Sequence, residues 1–229
     1  MPTQPILIAL DGPVSAGKSS LADAVADKLQ IGHLDTGAMY RAVGLAALQR
    51  GIDPQDEAAV SSLCQSGQLD IDIRFEGGRQ STWLNGQNVD HAIRSQEAGS
   101  AASTVSRYRA VRQYLVRQQQ AIAKSQDMII DGRDIGTVVL PQAKAKIFLT
   151  ASPETRARRR FEQIRDKEPG VSYEAVLSEL IARDKQDQER SVDPLRQAED
   201  AVRLDTSSLS FDESVQAILR IVEAAYGAR

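Results

Sequence analysis

Hydrophobic positions along the chain follow two periods, and the places where one gives way to the other mark its elements. The run Ile6-Leu7-Ile8-Ala9-Leu10 is continuous, as in a strand buried on both faces. From Leu21 the apolar residues Leu21, Ala22, Val25, Ala26 and Leu29 recur at three-to-four spacing and predict a helix with one apolar face. Ile31 to Leu34 and then Ala38 to Gln49 repeat the strand-loop-helix order, and Gly51-Ile52-Asp53-Pro54 breaks it before a short helix over Asp56 to Gly67. The period then changes to two: Leu69, Ile71, Ile73 and Phe75 alternate with Asp70, Asp72 and Arg74, and Gly77-Gly78 would turn that strand. Ser81 to Leu84, Asn85-Gly86 and Gln87 to Val89 predict a hairpin, since Asn-Gly supplies the positive φ values of a type I′ turn. Trp83 reads as the anchor of a local core rather than a surface on which a ligand stacks.

Helices follow over 95–105 and 109–124, the second carrying Arg109, Arg112 and Arg117. Met128-Ile129-Ile130 is a buried-type strand that delivers Asp131-Gly132-Arg133-Asp134, and Lys146 to Thr150 is a further strand. Ser152-Pro153 starts a helix with proline in its first turn, Glu168-Pro169-Gly170 ends that segment, and Ser172 to Glu189 forms another. Tyr173, Val176, Leu177, Leu180 and Ile181 lie on its apolar side. Ala201 to Leu204 is a last strand, and a capping box of Ser210 and Glu213 opens a closing helix that buries Val215, Ile218, Leu219 and Val222. Alternation of strand and helix predicts an α/β fold, a parallel core of five strands flanked by helices. The alternating segment near 69–90 interrupts it as a small antiparallel insertion.

A chain of 229 residues with 41% hydrophobic content can bury one proper core. The net charge of −3 gives no global attraction to nucleic acid or to a membrane surface, so anion binding must be local. Cys64 is the single cysteine, read as a small buried hydrophobe. Met1 to Gln4 carries no charged n-region and the apolar run after it is short, so neither a leader nor a membrane span is expected and the cytoplasm is the default. His33 and His91 lack ligand-spaced neighbours and read as structural.

Local anion chemistry is written most clearly in Gly12-Pro13-Val14-Ser15-Ala16-Gly17-Lys18-Ser19-Ser20, between the first strand and the first helix. Glycines at the ends of such a loop let backbone N–H groups approach phosphate oxygens, and the helix N-terminus adds partial positive charge. Lys18 would reach β- and γ-phosphates, and the Ser19 hydroxyl lies where these loops hold Mg²⁺, directly or through water. The plain alternative is a glycine-rich turn before an ordinary helix. Strand ends of a parallel sheet share an edge, so Asp35-Thr36-Gly37 would open onto the same cleft, with Arg41 a candidate for a second phosphate. Arg156, Arg158, Arg159 and Arg160 read either as a solvated helix face or as a lid that brings guanidinium groups over a triphosphate.

Taken together, these motifs resemble the bacterial cytidylate kinases, nucleoside monophosphate kinases of the P-loop class, along essentially the whole chain. The resemblance is carried by the P-loop, by Asp35-Thr36-Gly37-Ala38-Met39-Tyr40-Arg41, by Ile93-Arg94-Ser95-Gln96-Glu97 and by Asp131-Gly132-Arg133-Asp134-Ile135-Gly136-Thr137-Val138-Val139. Arg183-Asp184 with Asp187 and Arg190, and then Asp193-Pro194-Leu195, complete it. It implies a P-loop NTPase-type sheet with the small β insertion and a helical lid, and transfer of the γ-phosphoryl group of ATP to CMP or dCMP with Mg²⁺. A core over 1–36, 125–151 and 191–229, an acceptor-binding region over 37–124 and a lid over 152–190 are the expected divisions. Monophosphate contacts are implied for Thr36 and Arg41, cytosine contacts for Ser103, Arg112 and Asp134, and ribose contacts for Arg183 and Asp187. Arg109 or Arg107 could replace Arg112 by a shift of register. Arg133 and Arg190 would clamp phosphates, and Arg156, Arg159 and Arg160 belong to the lid, Arg156 toward ATP and the other two toward the transferred group with Lys18. Asp131 is the acidic candidate for Mg²⁺ through water, its alternative being a capped turn. A monomer is expected, with no nucleic-acid or membrane partner.

Other readings remain from the same residues. An adenylate- or shikimate-type kinase would share the P-loop, but has less use for the 69–90 sheet or for Arg112 with Asp134. A nucleotide-dependent switch would bind the nucleotide without an acceptor, yet the Asn-Lys-x-Asp guanine motif does not occur.

Overall fold

The computed structural model describes residues 5–166, 168 and 170–227; Met1–Gln4, read above for a leader, and Pro169, read as a helix end, lie outside them. In chain order, β1 (Leu7–Asp11) leads through the glycine-rich loop to α1 (Lys18–Leu29), and β2 (Gly32–Asp35) leads to α2 (Thr36–Gln49). α3 (Glu57–Gln65), β3 (Ile71–Glu76), β4 (Arg79–Leu84), β5 (Gln87–Asn88), α4 (Gln96–Val105) and α5 (Arg109–Ala123) come next. The second half holds β6 (Met128–Gly132), β7 (Ala145–Thr150), α6 (Pro153–Ile164), α7 (Tyr173–Glu189), β8 (Val202–Asp205) and α8 (Phe211–Tyr226).

Five strands form one sheet in the order β2-β6-β1-β7-β8, with β1 and β8 each parallel to β7. Buried apolar residues on β1, β6 and β7, among them Ile8, Leu10, Ile129, Ile130, Ile147 and Leu149, are at most 1% exposed. That burial on both faces is what a continuous apolar run foretells. Helix starts follow local side-chain chemistry: Asp35, Asp56, Ser95, Ser152, Ser172 and Ser210 each accept a backbone N–H of the first turn, and Ser210 with Glu213 closes the capping box.

The chain divides into two units, residues 30–130 and residues 6–29 with 131–227. In the first, α2 lies against α4 so closely that a Cβ on Gly44 would come within 2.8 Å of the Ala101 Cβ. The antiparallel sheet β3-β4-β5 belongs to this unit, with Asn85 and Gly86 at φ 48 and 79 in its hairpin. Trp83 departs from the core role expected of it. It is half-buried, its ring covered by the Arg74 guanidinium at 3.9 Å, while its strand neighbours Thr82 and Leu84 point inward. In the second unit, Ala157, Val176 and Leu180 form the small core between α6 and α7. Ile181, counted above on that apolar side, is instead 50% exposed, because it lies one residue past the inward stripe. A π-type turn over Ile135–Val139, which no periodicity announced, follows β6.

Gly12 adopts φ +155, and a Cβ there would lie 2.1 Å from the Leu149 carbonyl oxygen of β7. Gly51 also has a positive φ, +66, but open space around it. Gly12→Ala should therefore lower the unfolding free energy by at least ~2 kcal/mol in urea denaturation, and Gly51→Ala by only about 1 kcal/mol. Equal losses would show that backbone strain alone, and not the close strand, makes Gly12 necessary.

Candidate active site

The P-loop closes around its own lysine. Ser15 at φ 58 and Gly17 at φ 89 put left-handed turns between β1 and α1, the backbone geometry that gathers N–H groups into an anion-binding concavity. Lys18 is 6% exposed, and its Nζ donates to the carbonyls of Gly12 and Pro13, both at 2.8 Å. Ser19, on the exposed first turn of α1, donates from Oγ to Asp131 Oδ2 at 3.0 Å. Asp11 ends β1 and is buried; its two carboxylate oxygens accept the N–H groups of Ile135 and Gly136 at 2.6 and 2.7 Å. The segment after β6 that carries Arg133 and Asp134 is thereby tied to the residue before the P-loop.

The buried cations of this unit are held by acceptors of the chain itself. Arg133 Nε donates to Asp187 Oδ2 at 2.7 Å, and Arg190 donates to the Asp193 carbonyl and pairs with Asp134 at 3.4 Å. Arg156 is 3% exposed: it donates to the carbonyls of Ala151 and Val14 and pairs with Asp184 at 2.7 Å. Arg159 donates to the Thr206 carbonyl at 2.7 Å, while Arg158 and Arg160 are exposed. Arg158 lies over the Tyr173 ring at 5.9 Å, and Arg156 grips the P-loop backbone. Arg183 is half-buried on α7.

In the unit of residues 30–130, Asp35 is the organising group. Its Oδ1 caps α2 by accepting the Ala38 N–H at 3.1 Å, and its Oδ2 holds Arg41 Nη2 at 2.6 Å. Thr36, 4% exposed, starts α2 two residues earlier than the apolar period implied. Arg41 Nε is buried without a hydrogen-bond partner, a donor that an incoming anion would satisfy. Of the three arginines that compete in register, Arg112 is 2% exposed, with its guanidinium 5.6 Å from the Tyr40 ring, whereas Arg107 and Arg109 face solvent. Ser103 is half-buried on α4, and its carbonyl accepts the Ser106 hydroxyl.

The cytidylate kinase family model matches residues 8–224. The chain belongs to the cytidylate kinase family. Among its relatives, a cytidylate kinase of Bacillus licheniformis is 44% identical over 218 residues, covering 95% of this chain and 96% of the relative. One of Caldicellulosiruptor bescii is 47% identical over 216 residues, 94% and 95% of the two chains. A crystal structure of an uncharacterized protein from Eubacterium ventriosum aligns with a TM-score of 0.53 at 13% identity, over 96% of this chain and 99% of that one, a likeness of fold alone.

Within this member of the cytidylate kinase family, three site-forming roles are not legible as motifs. Asp11 follows the apolar run and looks like its end, although an acid in a fully buried strand is itself a signal, since such a group must be paired. Asp184 sits in a recognised motif, but its partner Arg156 is on another helix. Gln80 shares the inward side of β4 with Thr82 and Leu84, so a polar residue at an apolar alternation position is its only trace.

Burial governs the electrostatics. It pushes the Lys18 ammonium down to about 7, helped by Arg133 and opposed by Asp131, Asp187 and Asp11. It pushes Asp11 up to about 6 against the two N–H bonds that favour its charged form. Burial also opposes ionisation of Asp35 and Asp187, but Arg41 and Arg133 outweigh it and hold both carboxyls below their usual range. For Lys18 the folded pKa lies below the unfolded one, so its contribution to stability is full above 10.5 and is lost as pH falls through about 7. For Asp11 the order is reversed: its contribution is full below 3.8 and is lost as pH rises through about 6. The ligand-free wild type should therefore gain unfolding free energy relative to Lys18→Met between pH 7 and pH 9. Urea titrations at the two pH values measure this, and a pH-independent difference would mean that Lys18 is not charge-strained in the folded state.

Proposed function

We propose that this chain transfers the γ-phosphoryl group of ATP to CMP and dCMP, giving ADP with CDP or dCDP, as a step of pyrimidine nucleotide metabolism. What carries the reading is a P-loop with a desolvated lysine set in a chain that matches cytidylate kinases over residues 8–224. Two nucleotides are polyanions, so bringing them together requires cations that offset their repulsion and the charge spreading over the transferred group. Lys18, Arg133, Arg159, Arg160 and Arg190 are proposed for that task, arginine being suited because its charge is permanent and its fork matches two oxygens. The backbone from Gly12 to Ser20, with Arg156 behind Val14, would cradle ATP. Thr36 and Arg41 would take the CMP phosphate, Ser103, Arg112 and Asp134 the cytosine, and Arg183 and Asp187 the ribose. Cytosine presents a ring acceptor, an amine donor and a carbonyl acceptor, which an arginine, a carboxylate and a hydroxyl complement.

Ser19 and Asp131 place a hydroxyl and a carboxylate side by side at 3.0 Å, hard oxygen donors of the kind Mg²⁺ takes. These two residues would hold the ion, Asp131 through water. When bound, Mg²⁺ would supply charge neutralisation at the β- and γ-phosphates. No helix among the described residues is long and apolar enough to cross a membrane, and a monomeric cytoplasmic enzyme is the proposed setting.

ADP release measured across AMP, UMP, CMP, dCMP and shikimate tests the activity, with preference for CMP and dCMP expected. No such preference would remove the specific assignment. Lys18→Ala is expected to lower kcat by about 10²–10³-fold with an unchanged circular-dichroism spectrum. Asp134→Ala should raise KM for CMP about ten-fold and leave KM for ATP alone, as loss of a buried base contact would. Equal changes for both nucleotides would show that Asp134 does not read the base.

A further inference from the structure

We propose that Gln80, on the inserted antiparallel sheet, is a positioning residue for the acceptor phosphate site, holding the Asp35–Arg41 pair in register through the Asp35 backbone. The inference rests on the reading of Arg41 and Thr36 as the groups that take the CMP phosphate. The Gln80 amide addresses both backbone groups of Asp35: its Oε1 accepts the Asp35 N–H at 2.7 Å, and its Nε2 donates to the Asp35 carbonyl at 3.4 Å. Those partners admit only one orientation of the amide, since an N–H needs an acceptor and a carbonyl needs a donor. The same Nε2 lies 3.4 Å from the Thr82 hydroxyl, and Thr82, 1% exposed, is fixed in turn by its N–H to Asp90 Oδ1 at 2.7 Å. The side chain thus stands in for a strand that β4 does not extend along β2, two elements that touch within this unit.

Asp35 is a residue on which small displacements act strongly. One carboxylate oxygen caps α2 and the other holds Arg41, so rotation of its backbone shifts the helix start and the guanidinium together. Arg41 Nε, buried and without a partner, must meet an anion at a defined place to be satisfied. Fixing the Asp35 peptide from outside the loop removes the freedom that anion binding would otherwise have to freeze, which is preorganisation. No residue of the P-loop takes part, so the effect belongs to the acceptor nucleotide, and within it to the phosphate rather than the base.

The test compares wild type with Gln80→Met, which keeps length and removes both hydrogen bonds, and with Gln80→Asn, which keeps the amide one carbon short. KM values for CMP and ATP are measured alongside the constant for inhibition by cytidine, which lacks the phosphate. Gln80→Met is expected to raise KM for CMP about ten-fold, the loss that goes with one or two hydrogen bonds, while KM for ATP and the cytidine constant stay within about two-fold. Gln80→Asn should match it, and serves alone if the methionine variant does not fold. An unchanged KM for CMP, or a cytidine constant that weakens as much as KM for CMP, overturns the proposal. A wild type that does not phosphorylate CMP fails earlier and overturns the activity on which the proposal rests.

Discussion

A cation withdrawn from water must be held by acceptors of the chain itself, and this constraint runs through the buried polar groups of both units. Lys18 donates to two carbonyls of its own loop, Arg41 holds Asp35, Arg133 holds Asp187, Arg156 holds Asp184, and Arg190 rests on Asp134 and a backbone carbonyl. Buried ion pairs seldom add net stability, because desolvation offsets the attraction. Their number here follows from the number of guanidinium and ammonium groups withdrawn from water, each of which needs an acceptor within the chain. Among the described residues four buried side-chain atoms lack a hydrogen-bond partner: Arg41 Nε and Asp184 Oδ1 within these pairs, and Gln118 Oε1 and Gln119 Nε2 on α5. Such unsatisfied groups are rare in folded proteins and fall where a ligand or a shift of partners would satisfy them.

Local chemistry made the frame legible. The strand at Leu7–Asp11, the P-loop, the caps at Ser152, Ser172 and Ser210 and the Asn85-Gly86 turn all depend on neighbours within a few residues, and period and side-chain type identify them. What was not legible has a common cause. Asp35 and Gln80 are 45 residues apart, Arg133 and Asp187 are 54 apart, and Val14 and Arg156 are 142 apart, so nothing in either segment names the other. Arg112 shows the distinction within one helix. The family resemblance points to Arg112 but leaves Arg107 or Arg109 open by a shift of register, and only the fold shows that Arg112 alone of the three is buried, against Tyr40. Trp83 failed differently, since size and aromaticity argued for a core and strand alternation sent its ring to the half-exposed face beneath Arg74.

The arginine run of α6 illustrates how one composition serves two purposes. Arg156 and Arg160 are four residues apart and share a helix face, yet one is buried and the other exposed. The difference comes from depth along the helix rather than from the face. Ser152 caps α6 and the end of its first turn meets Val14 and Asp184, whereas a turn later Arg160 is exposed while Phe161 and Ile164 still pack on the core with Val176 and Leu180. The exposed Arg160 keeps rotamer freedom that Arg156 has lost, so two arginines of one face differ in mobility without any change in residue type.

Asp11 links these observations. It closes a strand whose other residues are apolar, and its carboxylate bonds the first two N–H groups of the π-type turn after Asp134. Removing a carboxylate from water at that depth is unfavourable, and the upward shift of its pKa records the penalty. A hydrophobic residue would fill the position without that penalty but would leave two buried N–H groups unpaired and the loop free to shift. The strained acid therefore makes sense as the element that fixes where Arg133 and Asp134 stand relative to Lys18, stability being exchanged for placement within a single unit of the chain.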